Sequence, residues 1–311
     1  MKVGRAYLTD NIGLKMQYNQ QYFKNLLPKR PENSHKGTFG HVLNLAGCEN
    51  YTGAAYFSSI STLKVGCGRV TLASNEKVLG SIASLSPDII LMPSNKLNKK
   101  NIINFQAVSI GCGLSTSNKA VNLFKSIIKI LHEIDIPIVI DADGLNILSS
   151  CHCETFSIDL GKKSTPKQSR SCLQLAKNII LTPHPAEMSR LMGVNTEEIL
   201  SKPEFWAKKC CEKYNCTTVL KIHETIVADN GGNFYANNTG NSALAHGGSG
   251  DVLCGMITGF LAQGLNSFES SILGVYLHGL TAEIASKELT EYSVLASDLL
   301  KYIPESIKTI L

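Results

Sequence analysis

The chain has 311 residues, 43% hydrophobic and 18% charged, with 30 Lys and Arg against 25 Asp and Glu for a net charge of +5. That balance excludes intrinsic disorder and leaves enough chain to bury a sizeable core. No stretch approaches the ~20 mostly apolar residues of a membrane helix, so no membrane partner is expected.

The pairs Lys99-Lys100, Lys162-Lys163 and Lys208-Lys209 are scattered, without the basic stripe of a nucleic-acid footprint. No nucleic-acid partner is expected. Lys2, Arg5, Asp10 and Lys15 interrupt the N-terminus, so it lacks a signal core and the expected location is cytoplasmic. The 10 cysteines then read as free thiols rather than a disulfide framework. Cys67, Cys112 and Cys254, set among glycines and apolar residues, are expected to be buried. Cys151-His152-Cys153 and the group Cys210, Cys211, Cys216 lack paired zinc-ligand spacing, and no metal ligand is assigned.

In chain order, His41 to Ala46 reads as a buried strand ending at Gly47, and Gly53 to Val65 as a helix. Arg69 to Ala73 is a strand and Glu76 to Leu85 a helix. Asp88 to Met92 and Ala107 to Gly111 are strand-like. Val121, Phe124, Ile128 and Leu131 put an amphipathic helix over Asn118 to Ile134. Strands follow at Pro137 to Asp141 and Asn178 to Thr182, the latter leading into a helix from about Ala186. Another strand spans Thr217 to Lys221. A hairpin turns at Asn230-Gly231-Gly232 between Glu224–Ala228 and Asn233–Ala236. Strands alternating with helices predict an α/β fold with a largely parallel sheet covered on both faces. Ser149 to Ser171 has no period and reads as a surface insertion, about 150–177. No linker divides the chain, so residues 29–311 read as one domain after an N-terminal extension over 1–28.

In an open parallel sheet, ligands sit beyond the carboxyl ends of strands. Gly111-Cys112-Gly113-Leu114-Ser115, Asp141-Ala142-Asp143-Gly144 and Thr182-Pro183-His184-Pro185 all fall there. The densest signal lies between 231 and 264, where nine of 34 residues are glycine. There Gly247-Gly248-Ser249-Gly250-Asp251 leads into a helical pattern beginning at about Asp251. Glycines before a helix let successive N–H groups converge on an anion, assisted by the helix dipole. Asp251 is then either a base for phosphoryl transfer to a hydroxyl or a helix cap. Asp141 and Asp143 either cap the next short helix or hold Mg²⁺ through water. His35 and Lys36 read as a site entrance or a solvated loop, and His184 as part of a rigid turn between prolines. His246 and His278 receive no role.

These stretches, with Ser34-His35-Lys36-Gly37-Thr38-Phe39-Gly40-His41-Val42, Gly53-Ala54, Lys221 to Thr225, Thr239-Gly240-Asn241 and Ser297-Asp298-Leu299-Leu300, occur in one order. From about Lys29 to Pro304 the chain resembles the ribokinase-like ADP/ATP-dependent NAD(P)H-hydrate dehydratases. The resemblance implies a three-layer fold with helices on both faces of a mostly parallel sheet. It also implies a hydro-lyase that repairs the S-epimer of hydrated NADH and NADPH, moving a phosphoryl group from ADP or ATP, with Mg²⁺, onto the carbon-6 hydroxyl and then eliminating phosphate. Carried over by position, Ala54, Gly113, His184 and Asp251 contact the hydrate. Lys221, Ile222, His223, Glu224, Thr225 and Gly250 hold the nucleotide, and the amides of Gly247, Gly248 and Ser249 join them at the transferring phosphoryl. The implied partners are a separate NAD(P)H-hydrate epimerase and further copies of the chain in a homo-oligomer. The alternative is a vitamin-precursor or sugar kinase of the same superfamily. This chain departs from the family's Gly-Pro-Gly-Leu-Gly at Gly111-Cys112-Gly113-Leu114-Ser115, and from its Lys-Gly segment at Lys221-Ile222.

Overall fold

Short runs of β-branched and aliphatic residues form one sheet, and its faces follow from the two-residue period of each strand. The computed structural model describes residues 18–150 and 178–311; the 150–177 insertion therefore lies almost wholly outside them, as does the start of the N-terminal extension. The strands are β1 (His41–Leu45), β2 (Arg69–Ser74), β3 (Ile90–Pro93), β4 (Ala107–Ile110), β5 (Ile138–Ile140), β6 (Ile179–Leu181), β7 (Thr217–Leu220), β8 (Ile226–Ala228) and β9 (Phe234–Ala236). They lie in the order β3-β2-β1-β4-β5-β6-β7-β8-β9. Pairing is parallel from β3 across to β7 and antiparallel through β8 and β9.

On one face lie α1 (Gln20–Leu26), α2 (Thr52–Lys64), α3 (Glu76–Leu85), α10 (Ser249–Ala262), α11 (Ser267–Leu289) and α12 (Ala296–Ile310). On the other lie α4 (Lys99–Ile102), α5 (Asn118–Ile134), α6 (Asp143–Ser150), α7 (Pro185–Met192), α8 (Thr196–Ser201) and α9 (Pro203–Tyr214). In β5, Val139 faces the first helix layer while Ile138 and Ile140 face the second. β6 repeats this with Ile180 against Ile179 and Leu181. The architecture is the three-layer α/β fold expected from the sequence.

The strand and hairpin expectations hold to within a few residues. Two details differ. The helix expected from about Asp251 begins at Ser249, because Gly248, with φ +96°, is its N-cap. Helices α1, α4, α8, α9, α11 and α12 carry no sequence expectation. In α11, residues from Phe268 to Ala285 are buried around much of the circumference, which erases the one-sided stripe that marks a helix. Phe23 of α1, although it falls in the expected extension, is fully buried and stacks on Tyr276 of α11 at 3.9 Å between ring centroids.

The chain runs outward from β1 to β3, returns to β4 beside β1, and continues the other way. This reversal is the switch point where an open α/β sheet leaves a crevice. A buried polar knot fixes it: Asn44 of β1 donates to the Ser58 and Ser59 hydroxyls of α2 at 2.8 and 2.9 Å. It also accepts from Ser109 of β4 at 2.9 Å. The Asn44 amide is thereby paired at both its nitrogen and its oxygen, and β1, α2 and β4 are locked in register.

Candidate active site

The strand ends bring the expected residues to one edge. Beyond β4, Gly111 and Gly113 have φ of +128° and +61°. The turn is tied to the end of β1 by the Gly47 N–H donating to the Cys112 carbonyl at 2.8 Å. A Cβ on Gly113 would lie 2.8 Å from that of Ala54 and 2.7 Å from that of Tyr51. Gly113 and Ala54, both expected to contact substrate, are therefore packed together at the start of α2.

Beyond β5, Asp141 is buried and its Oδ1 accepts from Lys221 Nζ at 2.6 Å and from the Ala142 N–H at 2.9 Å. Asp143 Oδ2 accepts from the Ser115 N–H at 2.7 Å, bridging the turns after β4 and β5. Beyond β6, His184 is the N-cap of α7: its Nδ1 accepts from the Ala186 N–H at 3.2 Å. Glu187 accepts from the His184 N–H at 2.8 Å, completing a capping box. The Lys221 N–H donates to the Pro183 carbonyl at 2.8 Å, which joins the ends of β6 and β7.

Lys221 to Thr225 form the turn from β7 into β8, closed by the Thr225 hydroxyl donating to the Ile222 carbonyl at 3.2 Å. His223 and Glu224 at its tip are exposed. Opposite lies the start of α10. A Cβ on Gly250 would sit 3.4 Å from Lys221 Nζ and 4.0 Å from Asp141 Oδ2. Buried Asp141 and half-buried Lys221 thus face the first turn of α10, whose free N–H groups could accept an anion. The Ser249 hydroxyl turns away, donating to the Leu244 carbonyl at 2.7 Å, so Ser249 can offer an anion only its backbone.

Asp251 is the third residue of α10 and makes no capping bond; the helix-cap reading is overturned, because Gly248 occupies that position. Burial first, then Asp141, raises the Asp251 carboxyl to about 6, against the lowering effects of Cys112 and Lys221. Burial likewise raises Glu187 to about 7. Burial alone would depress the Lys221 ammonium, yet Asp141 and Glu187 outweigh it and hold it above its ordinary value. The arrangement places a protonatable carboxylate, one half-buried cation and a run of free amides around the first turn of α10. That is the equipment for phosphoryl transfer.

His35 and Lys36 sit on an exposed turn where His35 Nδ1 accepts from the Gly37 N–H at 3.0 Å, as in the solvated-loop reading. His278, given no role from the sequence, is buried in α11, and its Nε2 finds no hydrogen-bond partner among the described residues. No local pattern marks it, since a single His within a long apolar helix reads as core. A cleft of about 830 Å³ lined by Asn241, Ser242, Glu283 and Tyr292 contains none of the catalytic candidates. Cys67, Cys112 and Cys254 are buried as expected, and so are Cys210, Cys211 and Cys216; Cys151 and Cys153 lie outside the described residues. Among the described residues no helix is long and apolar enough to cross a membrane.

Comparison with known proteins places this geometry. The family model described as NAD(P)H-hydrate dehydratase matches residues 42–305. An ADP-dependent (S)-NAD(P)H-hydrate dehydratase of Neisseria meningitidis is 36% identical over 84% of this chain and 82% of its own. A bifunctional NAD(P)H-hydrate repair enzyme of Moorella thermoacetica is 32% identical, and the chain covers 91% of itself but only 52% of that protein. The crystal structure of the ADP/ATP-dependent NAD(P)H-hydrate dehydratase from Bacillus subtilis, co-crystallised with ATP and Mg²⁺, superposes with a TM-score of 0.77 at 29% identity, covering 94% of this chain and 98% of that one. A ribokinase-like superfamily protein from Enterococcus faecalis superposes with a TM-score of 0.80 at 25% identity, covering 94% and 95%. With its ribokinase-like sheet and the ordered strand-end residues that the family model spans, the chain belongs to the NAD(P)H-hydrate dehydratase family.

Proposed function

We propose that this chain dehydrates the S-epimer of NADH and NADPH hydrates, with ADP as phosphoryl donor, ATP serving less well. The observation that carries the reading is Asp251, half-buried in the first turn of α10 with Lys221 and Asp141 facing the same turn. Asp251 accepts the proton of the carbon-6 hydroxyl as its oxygen bonds to the terminal phosphorus and the bond to the departing nucleotide breaks. The amides of Gly247, Gly248, Ser249 and Gly250 hold the transferring phosphoryl, whose negative charge the helix terminus favours. The nicotinamide nitrogen lone pair then expels phosphate from carbon 6. Loss of the neighbouring proton restores the ring double bond. Phosphate leaves where hydroxide would not, which is why a kinase scaffold suits a dehydration.

Ala54, Gly113 and His184 form the hydrate side of the crevice, and Lys221 to Thr225 with Gly250 the nucleotide side. Both hydrogen bonds that the Asp141 carboxylate accepts fall on Oδ1, while Oδ2 faces Gly250. Its free oxygen donor suits Mg²⁺, which Asp141 and Asp143 would hold through water. When bound, that ion neutralises charge on the nucleotide phosphates. In the same reading, a separate epimerase supplies the S-epimer, and the chain works as a cytoplasmic homo-oligomer.

The test is stoichiometry by phosphorus NMR. One AMP and one inorganic phosphate should appear per hydrate consumed with ADP. Accumulation of a stable phosphorylated alcohol from a vitamin precursor or sugar, without hydrate turnover, would mark a kinase instead.

A further inference from the structure

Cys112, Asp141 and Cys254 come from three distant stretches: the turn after β4, the end of β5 and the second turn of α10. Their two sulfurs and a carboxylate oxygen all lie within 4.8 Å of one another, and all three residues are buried. In a tetrahedral zinc site with Zn–S of ~2.3 Å, neighbouring ligand atoms are ~3.8 Å apart, so side-chain adjustments of under about an ångström would close this set on an ion. Clustered thiols elsewhere among the described residues do not do this. Cys210, Cys211 and Cys216 are buried close together in sequence, yet among the described residues they form no comparable ligand group.

The surroundings also favour a cation. Asp141, Asp143 and Asp251 converge here against the Lys221 ammonium. The Cys112 thiol is pushed well up by its contact with Cys254 and by burial, and the Asp251 and Asp141 charges add to it. The donor set decides which cation. Thiolates select soft and borderline ions of the zinc class, whereas Mg²⁺ keeps oxygen ligands and water.

We propose that Cys112 Sγ, Cys254 Sγ and Asp141 form a binding site for one thiophilic divalent cation of the zinc class, whose occupancy blocks the active site. Binding releases two thiol protons to solvent and leaves the cation with two thiolates and one carboxylate, a net charge of −1 that the Lys221 ammonium offsets. Three protein ligands leave a fourth position open, as in exchangeable rather than purely structural sites. The ion sits beside Asp251, which lies one helical turn before Cys254 and whose charge acts on Cys112. It therefore draws on the electron density that Asp251 needs as a base and takes Asp141 from its place beside the phosphates. The ion site stands on its own; only its effect on turnover rests on the proposed reaction.

The test is titration of the reduced full-length protein with Co²⁺, read by thiolate-to-cobalt charge-transfer absorption, followed by displacement with Zn²⁺. The expected result is one equivalent bound with those bands in the parent and in a Cys151→Ser/Cys153→Ser variant. The bands should be lost in Cys254→Ala and, as a second variant, in Cys112→Ser. Zn²⁺ should stop hydrate turnover in the parent reversibly, with recovery on chelation, and spare Cys254→Ala. Absent bands in the parent, or bands that persist in both thiol variants, overturn the site. Zn²⁺ that binds without slowing turnover overturns the block. A protein that binds Co²⁺ in this way but repairs no hydrate supports the site and removes the proposed reaction.

Discussion

Lys221 Nζ meets Asp141 Oδ1 at 2.6 Å, joining the ends of β7 and β5 beneath the first turn of α10. The carboxylate is almost wholly buried and the lysine side chain keeps 19% of its exposure. Removing one partner of a buried pair leaves an uncompensated charge, a loss of about 3–5 kcal/mol. Lys221→Met is expected near the low end, about 3 kcal/mol, since water still reaches the site. Chemical denaturation measures it. An unchanged stability would mean that Asp141 is held by its backbone contact alone.

Asp251→Asn keeps the shape of the side chain and removes its ability to take a proton. The N-cap of α10 is Gly248, so the helix terminus is unaffected and the variant is expected to fold with parent-like stability. General-base assistance is worth about 10²–10⁴-fold, and kcat should fall by that order with nucleotide affinity nearly unchanged. In the parent, with the Asp251 carboxyl raised to about 6, kcat/KM should decline below that pH as the base is protonated. Retention of more than about a tenth of parent kcat, well inside the usual loss for a missing base, would remove Asp251 from the chemistry.

How far the sequence discloses this site depends on the kind of order involved. Strands such as Ile138-Val139-Ile140 are legible because a sheet covered on both faces demands continuous apolar runs. The glycine turn before Asp251 is legible because anion binding needs backbone freedom. The start of α10 is not, since Gly248 caps by its left-handed φ of +96° without a side-chain bond. The buried α11 hides because its apolar residues surround the helix. The meeting of Cys112 with Cys254 arises only from tertiary packing and leaves no local spacing to read.

Gly248 supplies a direct check on the phosphate loop. Besides its φ, a Cβ there would lie 2.8 Å from the Ala296 Cβ and 2.9 Å from the Phe57 ring. Gly248→Ala must shift the turn, and misplacement of about an ångström costs on the order of 10²-fold in rate. We expect kcat/KM for the nucleotide to fall by at least about tenfold on that scale. Parent-like kinetics would mean that the turn does not position the phosphates.

Stability should depend on pH through buried histidines. Burial lowers His278 from 6.5 to about 4, and burial with Arg69 does the same for His41. Above 6.5 both states are neutral and these groups add no pH dependence. Between 6.5 and about 4 the unfolded chain takes up protons that the native state refuses, so stability falls as pH falls, then levels for these groups. For His278 the full window amounts to at most about 3 kcal/mol. Asp251 and Glu187, whose carboxyls burial raises to about 6 and about 7, act in the opposite sense, so the histidine effect is read by difference. Between about pH 7 and about pH 5, within the ordinary histidine range, Tm should fall more steeply in the parent than in His278→Gln. Parallel Tm curves for the two proteins would contradict the burial of a neutral imidazole at this position.

ADP is expected to be the better phosphoryl donor, following the ADP-dependent relative from Neisseria meningitidis. Steady-state kinetics with each nucleotide decides this, and a kcat/KM about tenfold higher with ATP, a difference of about 1.4 kcal/mol in transition-state binding, would reverse it.

The most direct measurement is recovery of dihydronicotinamide absorbance from chemically hydrated NADH and NADPH, with Mg²⁺ and with ADP, ATP or no nucleotide. The account predicts recovery that requires nucleotide, stops when the S-epimer is consumed, and is lost in Asp251→Asn. Absence of recovery with either nucleotide, from a folded protein that binds ADP, would contradict it.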